Sequence, residues 1–155
     1  MELSSFQISK IELIAEYKTA CMELYWVYSE KFPEHKNFWI DMADEERKDV
    51  EWIRSTIELI RNNKIDYNRD RFNIEAIRIS MNFIKAQIKA ALDQPVSLPT
   101  AVANANSIED SVAKKKFYEI IKDDNHEARH LYQKFGSENQ RHRDKLSQFR
   151  QRMKG

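Results

Sequence analysis

A chain of 155 residues has room for one domain around one core, since domains most often run to roughly 100–150 residues. Its 26 basic and 25 acidic side chains nearly cancel, so no whole-molecule field points to nucleic acid, an anionic membrane or a polyanionic substrate. The lone Cys21 excludes an intramolecular disulfide and a CxxC metal knuckle, no apolar run approaches the ~20 residues of a membrane span or the shape of a signal peptide, and a reducing cytoplasm fits best.

With 33% charged residues, two glycines, three prolines and apolar positions recurring every three or four residues, the sequence predicts an all-α fold of long helices in a single domain, 1–155. Helix A is expected over 5–31, where Leu13, Tyr17, Ala20, Leu24, Val27 and Tyr28 keep the helical period until Pro33 interrupts it. Helix B, 35–63, carries Phe38, Trp39, Met42, Ala43, Val50, Ile53, Ile57 and Ile60, and the short turn at "FPEH" makes it antiparallel to A. After the polar stretch 64–71, Ile74, Ile77, Met81, Ile84, Ile88 and Ala91 form a narrow stripe that predicts an amphipathic crossover helix over 72–92. "DQPVSLP" breaks the pattern, and Pro99 suits the first turn of helix C, 99–122, marked by Val102, Ala105, Val112, Phe117 and Ile120. Helix D, 126–152, follows Ala128, Leu131, Phe135, Leu146 and Phe149, although Gly136 in mid-pattern costs about 1 kcal/mol against Ala. The two hairpins resemble each other at an offset of 93, which pairs Ala20 with Ala113 and Ile53 with Leu146.

Polar residues interrupt these stripes at matching levels. In "MADEERKDVEWI", Glu46 lies three and four residues from Met42, Ala43, Val50 and Ile53, with Asp49 at the edge of the same stripe. Glu16 sits between Leu13 and Ala20 on helix A, Glu109 among Val102, Ala105 and Val112 on helix C, and Asn139 and His142 between Phe135 and Leu146 on helix D. Thirty residues separate Glu16 from Glu46 and thirty separate Glu109 from Asn139, while Glu46 to Asp49 and Asn139 to His142 are each three. In antiparallel hairpins the members of each pair come to nearly the same level, within about 6 Å at 1.5 Å per residue for Glu16 and Glu46. A buried carboxylate needs a Lys or Arg, a hydrogen-bond network or a metal ion, because an unpaired one costs several kcal/mol or takes up a proton.

Glu on one helix and Glu-x-x-His on the next, repeated in a second hairpin, resembles the di-iron carboxylate pattern of the ferritin-like superfamily. The stretches "YSEKFPEHKNFWIDMADEERKDVEWI", "SIEDSVAKKKFYEIIKDD" and "RHRDKL" look most like its rubrerythrin-like branch, over about 6 to 150. The resemblance implies a ferritin-like antiparallel four-helix bundle, with the long crossover carrying the additional amphipathic helix. It implies metal ligands at Glu16, Glu46, Asp49, Glu109 and His142, with Asn139 at a sixth ligand position. Two positions depart from the pattern: Asp49 stands where it has His, and Asn139 where it has a second bridging Glu. Glu16, Glu46, Asp49 and Glu109 still match the charge of two divalent cations, the donor set suits Fe or Mn, and one or two ions fit the pattern equally. A redox-active centre of this type implies oxidoreductase chemistry on iron, oxygen or peroxide, whereas an electron relay to a rubredoxin-type iron-sulfur centre within these 155 residues is excluded by the lack of paired cysteines.

The alternative reading is a metal-free bundle, serving as a binding or assembly module, in which inward Lys or Arg neutralises the acids. "HEARH", 126–130, matches the His-Glu-x-x-His helix of zinc metallopeptidases, but the metzincin continuation does not fit "LYQKFGSEN", and no acid follows Asp144 as a third ligand. The cations from Arg141 to Lys154 complement the dipole at the end of helix D. An exposed apolar face on the crossover helix would favour a homodimer.

Overall fold

The computed structural model describes residues 2–61, 74–115 and 126–154. It is all-helical, with five α-helices and one 3-10 turn, and no strand occurs among the described residues. Helix α1 spans Glu2–Lys31, α2 Lys36–Arg61, α3 Ile74–Asp93, α4 Leu98–Lys115 and α5 His126–Lys154. The expected continuations of helix B to 63 and of helix C over 116–122 lie outside the described residues, as do the side chains of His126, Glu127 and His130 in the "HEARH" stretch that opens α5.

Pro33 ends α1 in the expected way. Phe32 leaves the helical region before the proline, at φ −124° and ψ 72°, its N–H reaching back to the Tyr28 carbonyl at 2.9 Å, and the 3-10 turn Pro33–His35 then delivers the chain into α2. Aromatic side chains fill this corner: Trp39 packs edge-on against Tyr28 and Phe38, and Phe38 stacks on Phe149 of α5 with centroids 4.0 Å apart. At the other break, Ser97 caps α4 by accepting the Thr100 N–H at 3.2 Å, which makes Leu98 and Pro99 the first helical residues.

The core runs along α1, between Ile14, Cys21, Leu24 and Tyr28 on that helix and Met42, Ala43 and Ile53 on α2, with Val102, Ala105 and Ile108 of α4 and Leu146 of α5 closing it. Helix α3 packs chiefly on α1 through Ile77, Met81, Ile84 and Ala91. Asn104 of α4 ties the three helices together, its amide donating to the Tyr28 hydroxyl at 3.0 Å and to Gln87 of α3 at 3.1 Å. On its outer side α3 leaves Ile79 and Phe83 exposed. Among the described residues no helix is long and apolar enough to cross a membrane.

Helix α1 buries the expected Tyr17, Ala20, Leu24 and Tyr28, and its inward arc extends to one side of the expected stripe. Ile14, Tyr17, Lys18, Cys21, Leu24, Tyr25 and Tyr28 are buried, whereas Leu13 and Val27 are only partly so. The expectation that Glu16 faces the interior is therefore corrected: Glu16 is exposed, because two residues of helix turn it ~200° away from Lys18.

Candidate metal centre

Four helices converge on one polar cluster in the core. Helix α2 supplies Glu46 and Asp49, α4 supplies Glu109, and α5 supplies Asn139 and His142, all of them buried. From α1 the inward side chains are Lys18 and Tyr25 rather than Glu16. Of the six sequence-derived positions, five meet here, and the sixth is replaced by a lysine two residues along the same helix.

Lys18 Nζ lies 3.0 Å from Glu46 Oε2 and 3.3 Å from Asp49 Oδ2, so one ammonium bridges the two acids of α2. Burial works against its charge, but Glu46 and Asp49 outweigh that effect and hold it above the ordinary lysine range. The two acids share the cation unequally. Glu46 is pushed up by burial, yet Lys18 and His142 bring it down to about 2. Asp49 is farther from the ammonium, and burial together with the Glu46 charge lifts it to about 7.

The other side of the cluster is built on Glu109. Tyr25 donates its hydroxyl to Glu109 Oε1 at 3.1 Å, and the Asn139 amide donates to Glu109 Oε2 at 2.9 Å and to the Glu109 carbonyl at 3.1 Å. Both acceptors require the NH2 group of Asn139, which makes Asn139 a donor that orients Glu109. Burial raises the Tyr25 phenol, and the adjacent Glu109 adds to it, so Tyr25 stays a donor.

His142 occupies the junction. Its Nδ1 is 3.2 Å from Glu46 Oε1 and 3.5 Å from Glu109 Oε1, while its Nε2 is 2.7 Å from Glu45 Oε2. Burial disfavours the imidazolium, but the three carboxylates prevail and push it up to about 12. Neither nitrogen makes a directed hydrogen bond, and Glu46 Oε1 makes none either. Atoms of Glu46, Glu109 and His142 lie within 4.8 Å of one another, the arrangement of a three-ligand cation site.

The two Nδ1 spacings fit one ion. A cation with bonds of about 2.1 Å sets tetrahedral ligands about 3.4 Å apart, and the Nδ1 distances to Glu46 and Glu109 are 3.2 and 3.5 Å. A metal on Nδ1 leaves the proton on Nε2, facing Glu45, and such a carboxylate partner fixes the tautomer of a ligating histidine. The position beside Glu46 and Asp49 is filled by the Lys18 ammonium, which leaves no comparable place for a second ion there.

Sequence reasoning did not find Lys18, Tyr25 or Glu45. A basic residue four positions after Ile14 and three before Cys21, on the buried line of α1, was the available signal for Lys18. Glu45 adjoins Glu46 and takes its role only from the position of His142, which sequence spacing does not give.

Comparison with family models, with curated proteins and with solved structures gives no match to this chain.

Proposed function

We propose that the chain is a ferritin-like bundle, α1–α2 and α4–α5 being its hairpins and α3 its crossover helix, that binds a single divalent cation, Fe or Mn, through Glu46, Glu109 and His142. The observation that carries this reading is the buried His142 Nδ1, without a directed hydrogen bond, set between Glu46 Oε1 and Glu109 Oε1 at metal-ligand spacing. Lys18 takes the place of the second ion, so the two-metal chemistry implied by the family resemblance is not proposed for this chain. Oxidoreductase activity would rest on one ion with three protein ligands and an open position.

Charge balance supports the exchange. Without metal, Lys18 and the His142 imidazolium face the acids of the cluster while Asp49, raised to about 7, is partly protonated near neutral pH. With a divalent ion on neutral His142, Lys18 and the ion together bring three positive charges to the three carboxyl groups of Glu46, Asp49 and Glu109. Binding therefore displaces the proton from His142 Nδ1 and whatever proton Asp49 holds, roughly one to two protons per ion near neutral pH.

The second reading, a metal-free bundle acting as a binding or assembly module, is favoured by Lys18 and the imidazolium, which already neutralise the acids without an ion. The exposed Ile79 and Phe83 of α3 suit a homodimer in either case.

Elemental analysis of protein from iron- and manganese-supplemented medium separates the readings, with a Glu46→Ala, His142→Ala double variant beside it. About one ion per chain, lost in the variant and bound with proton release, is the expected result for a three-ligand site. Two ions per chain, the second lost in Asp49→Asn, would refute the role of Lys18. Metal-free protein that gains no thermal stability from added Fe(II) or Mn(II) would leave the metal-free reading.

A further inference from the structure

His142 shows a different pair of carboxylates to each of its ring nitrogens. Nδ1 faces the fully buried Glu46 and Glu109, as described above. Nε2 faces outward, 2.7 Å from Glu45 Oε2 and 3.9 Å from Glu138 Oε2. Glu45, Glu138 and His142 form a second three-ligand group, and its acids are partly exposed, at 12% and 19% of their side-chain surface. His142 itself is fully buried, and neither its Nε2 nor Glu45 Oε2 makes a directed hydrogen bond although the atoms are in contact.

Two basic side chains lie over this outer group. Arg141 pairs with Glu138 and reaches Glu45 Oε1 at 3.3 Å, and Lys145 Nζ is 3.0 Å from the same oxygen. Arg141 is half exposed, so solvent can take it up without disturbing the core. A divalent cation on Glu45 and Glu138 would carry the same charge as the two side chains it displaces.

We propose that Glu45, Glu138 and His142 Nε2 form a second, outer cation site, an antechamber through which a divalent ion reaches the buried position, with Arg141 as its gate. This rests on the one-ion reading above. A buried site needs an entry path, and hydrated divalent ions give up water in steps as carboxylates replace it. The outer acids supply the first exchange at the surface, and the shared imidazole places the next ligands on its far side.

The test is the rate of Co(II) loading into metal-free full-length protein, followed by stopped-flow absorbance of the cobalt bands, in the parent and in Glu138→Gln and Arg141→Ala. Arg141 is half exposed and Glu138 partly so, and both substitutions leave Glu46, Glu109 and His142 in place. Glu138→Gln is expected to slow loading, roughly tenfold on the scale of charge steering into a cleft, at unchanged final stoichiometry. Arg141→Ala is expected to speed it. Parent protein that loads, with both variants loading at the parent's rate, would overturn the antechamber and leave the inner site standing. Parent protein that takes up no cobalt would overturn both.

Discussion

Lys18 separates this core from one arranged for two ions. Its ammonium is buried between Glu46 and Asp49, and removing one partner of such a pair strands the other charges. Lys18→Met is therefore expected to cost about 3–5 kcal/mol in chemical denaturation, and a loss below about 1 kcal/mol, the range of exposed pairs, would contradict the burial of the bridge. Lys18→Glu makes a sharper test, because it supplies the missing oxygen donor while deleting the internal cation. The variant is expected to be unstable alone, to be restored by Mn(II), and to bind a second ion where the parent binds one; a variant that Mn(II) leaves unstable would mean that Lys18 does not occupy an ion's position. Across the cluster, Tyr25 holds Glu109 with a single hydroxyl. Tyr25→Phe is expected to cost about 1.5–3 kcal/mol, the range for a hydrogen bond to a charged group, and to weaken metal binding through the misplaced Glu109.

Among the elements, α1 and α2 differ in how plainly their sequences show the inward face. On α2 the exposed Asp41, Arg47, Lys48 and Glu51 lie opposite Trp39, Met42, Ala43 and Ile53, so the polar interruptions Glu46 and Asp49 stand out from the sequence alone. On α1 apolar side chains wrap most of the helix. Leu13 and Val27 flank the buried Tyr17 and Leu24 on one side and Ile14 and Cys21 flank them on the other, and only packing against α2 and α3 decides which flank lies deeper. That choice of flank is why Glu16 was readable as a ligand and Lys18 was not. Asn139 was visible as a core polar residue, but its role as a donor to Glu109 depends on the depth at which α4 and α5 meet, which spacing within one helix does not contain. The entry to α4 was legible to within one residue from Pro99, which has no N–H to satisfy, whereas the Ser97 cap is visible only in the structure. Ser97→Ala is expected to cost about 1 kcal/mol, read as a lower midpoint in urea at unchanged slope, whereas an unchanged midpoint would show that water caps α4 equally well.

At the scale of the whole molecule, the cluster ties stability to pH and, under the one-ion proposal, to metal in the opposite sense. Glu45 and Glu46 are held down to about 2 from an ordinary 4.5, so their contribution is complete above about 4.5 and is lost as the pH falls through 2. His142 is held up to about 12 from 6.5, so its contribution is complete below 6.5 and drains away as the pH rises towards 12. Asp49, raised to about 7 from 3.8, acts in the same direction: the folded chain keeps a proton that the unfolded chain releases, and stability falls across that interval. These terms together place the maximum on the acid side of neutrality when metal is absent. Thermal midpoints measured in chelator from pH 2 to 10 are expected to peak between about 4.5 and 6.5 and to decline above, with His142→Gln flattening the alkaline limb. Midpoints that stay level from pH 6 to 10 would show that the imidazolium is not held. Saturating Mn(II) should reverse the alkaline slope, because the protons that folding retains are those an ion must expel, and the free energy of binding to the folded chain adds to its stability. A decline that persists unchanged under Mn(II) would mean that proton and metal do not compete at Nδ1, and the core would then be a proton-balanced polar network rather than a metal centre.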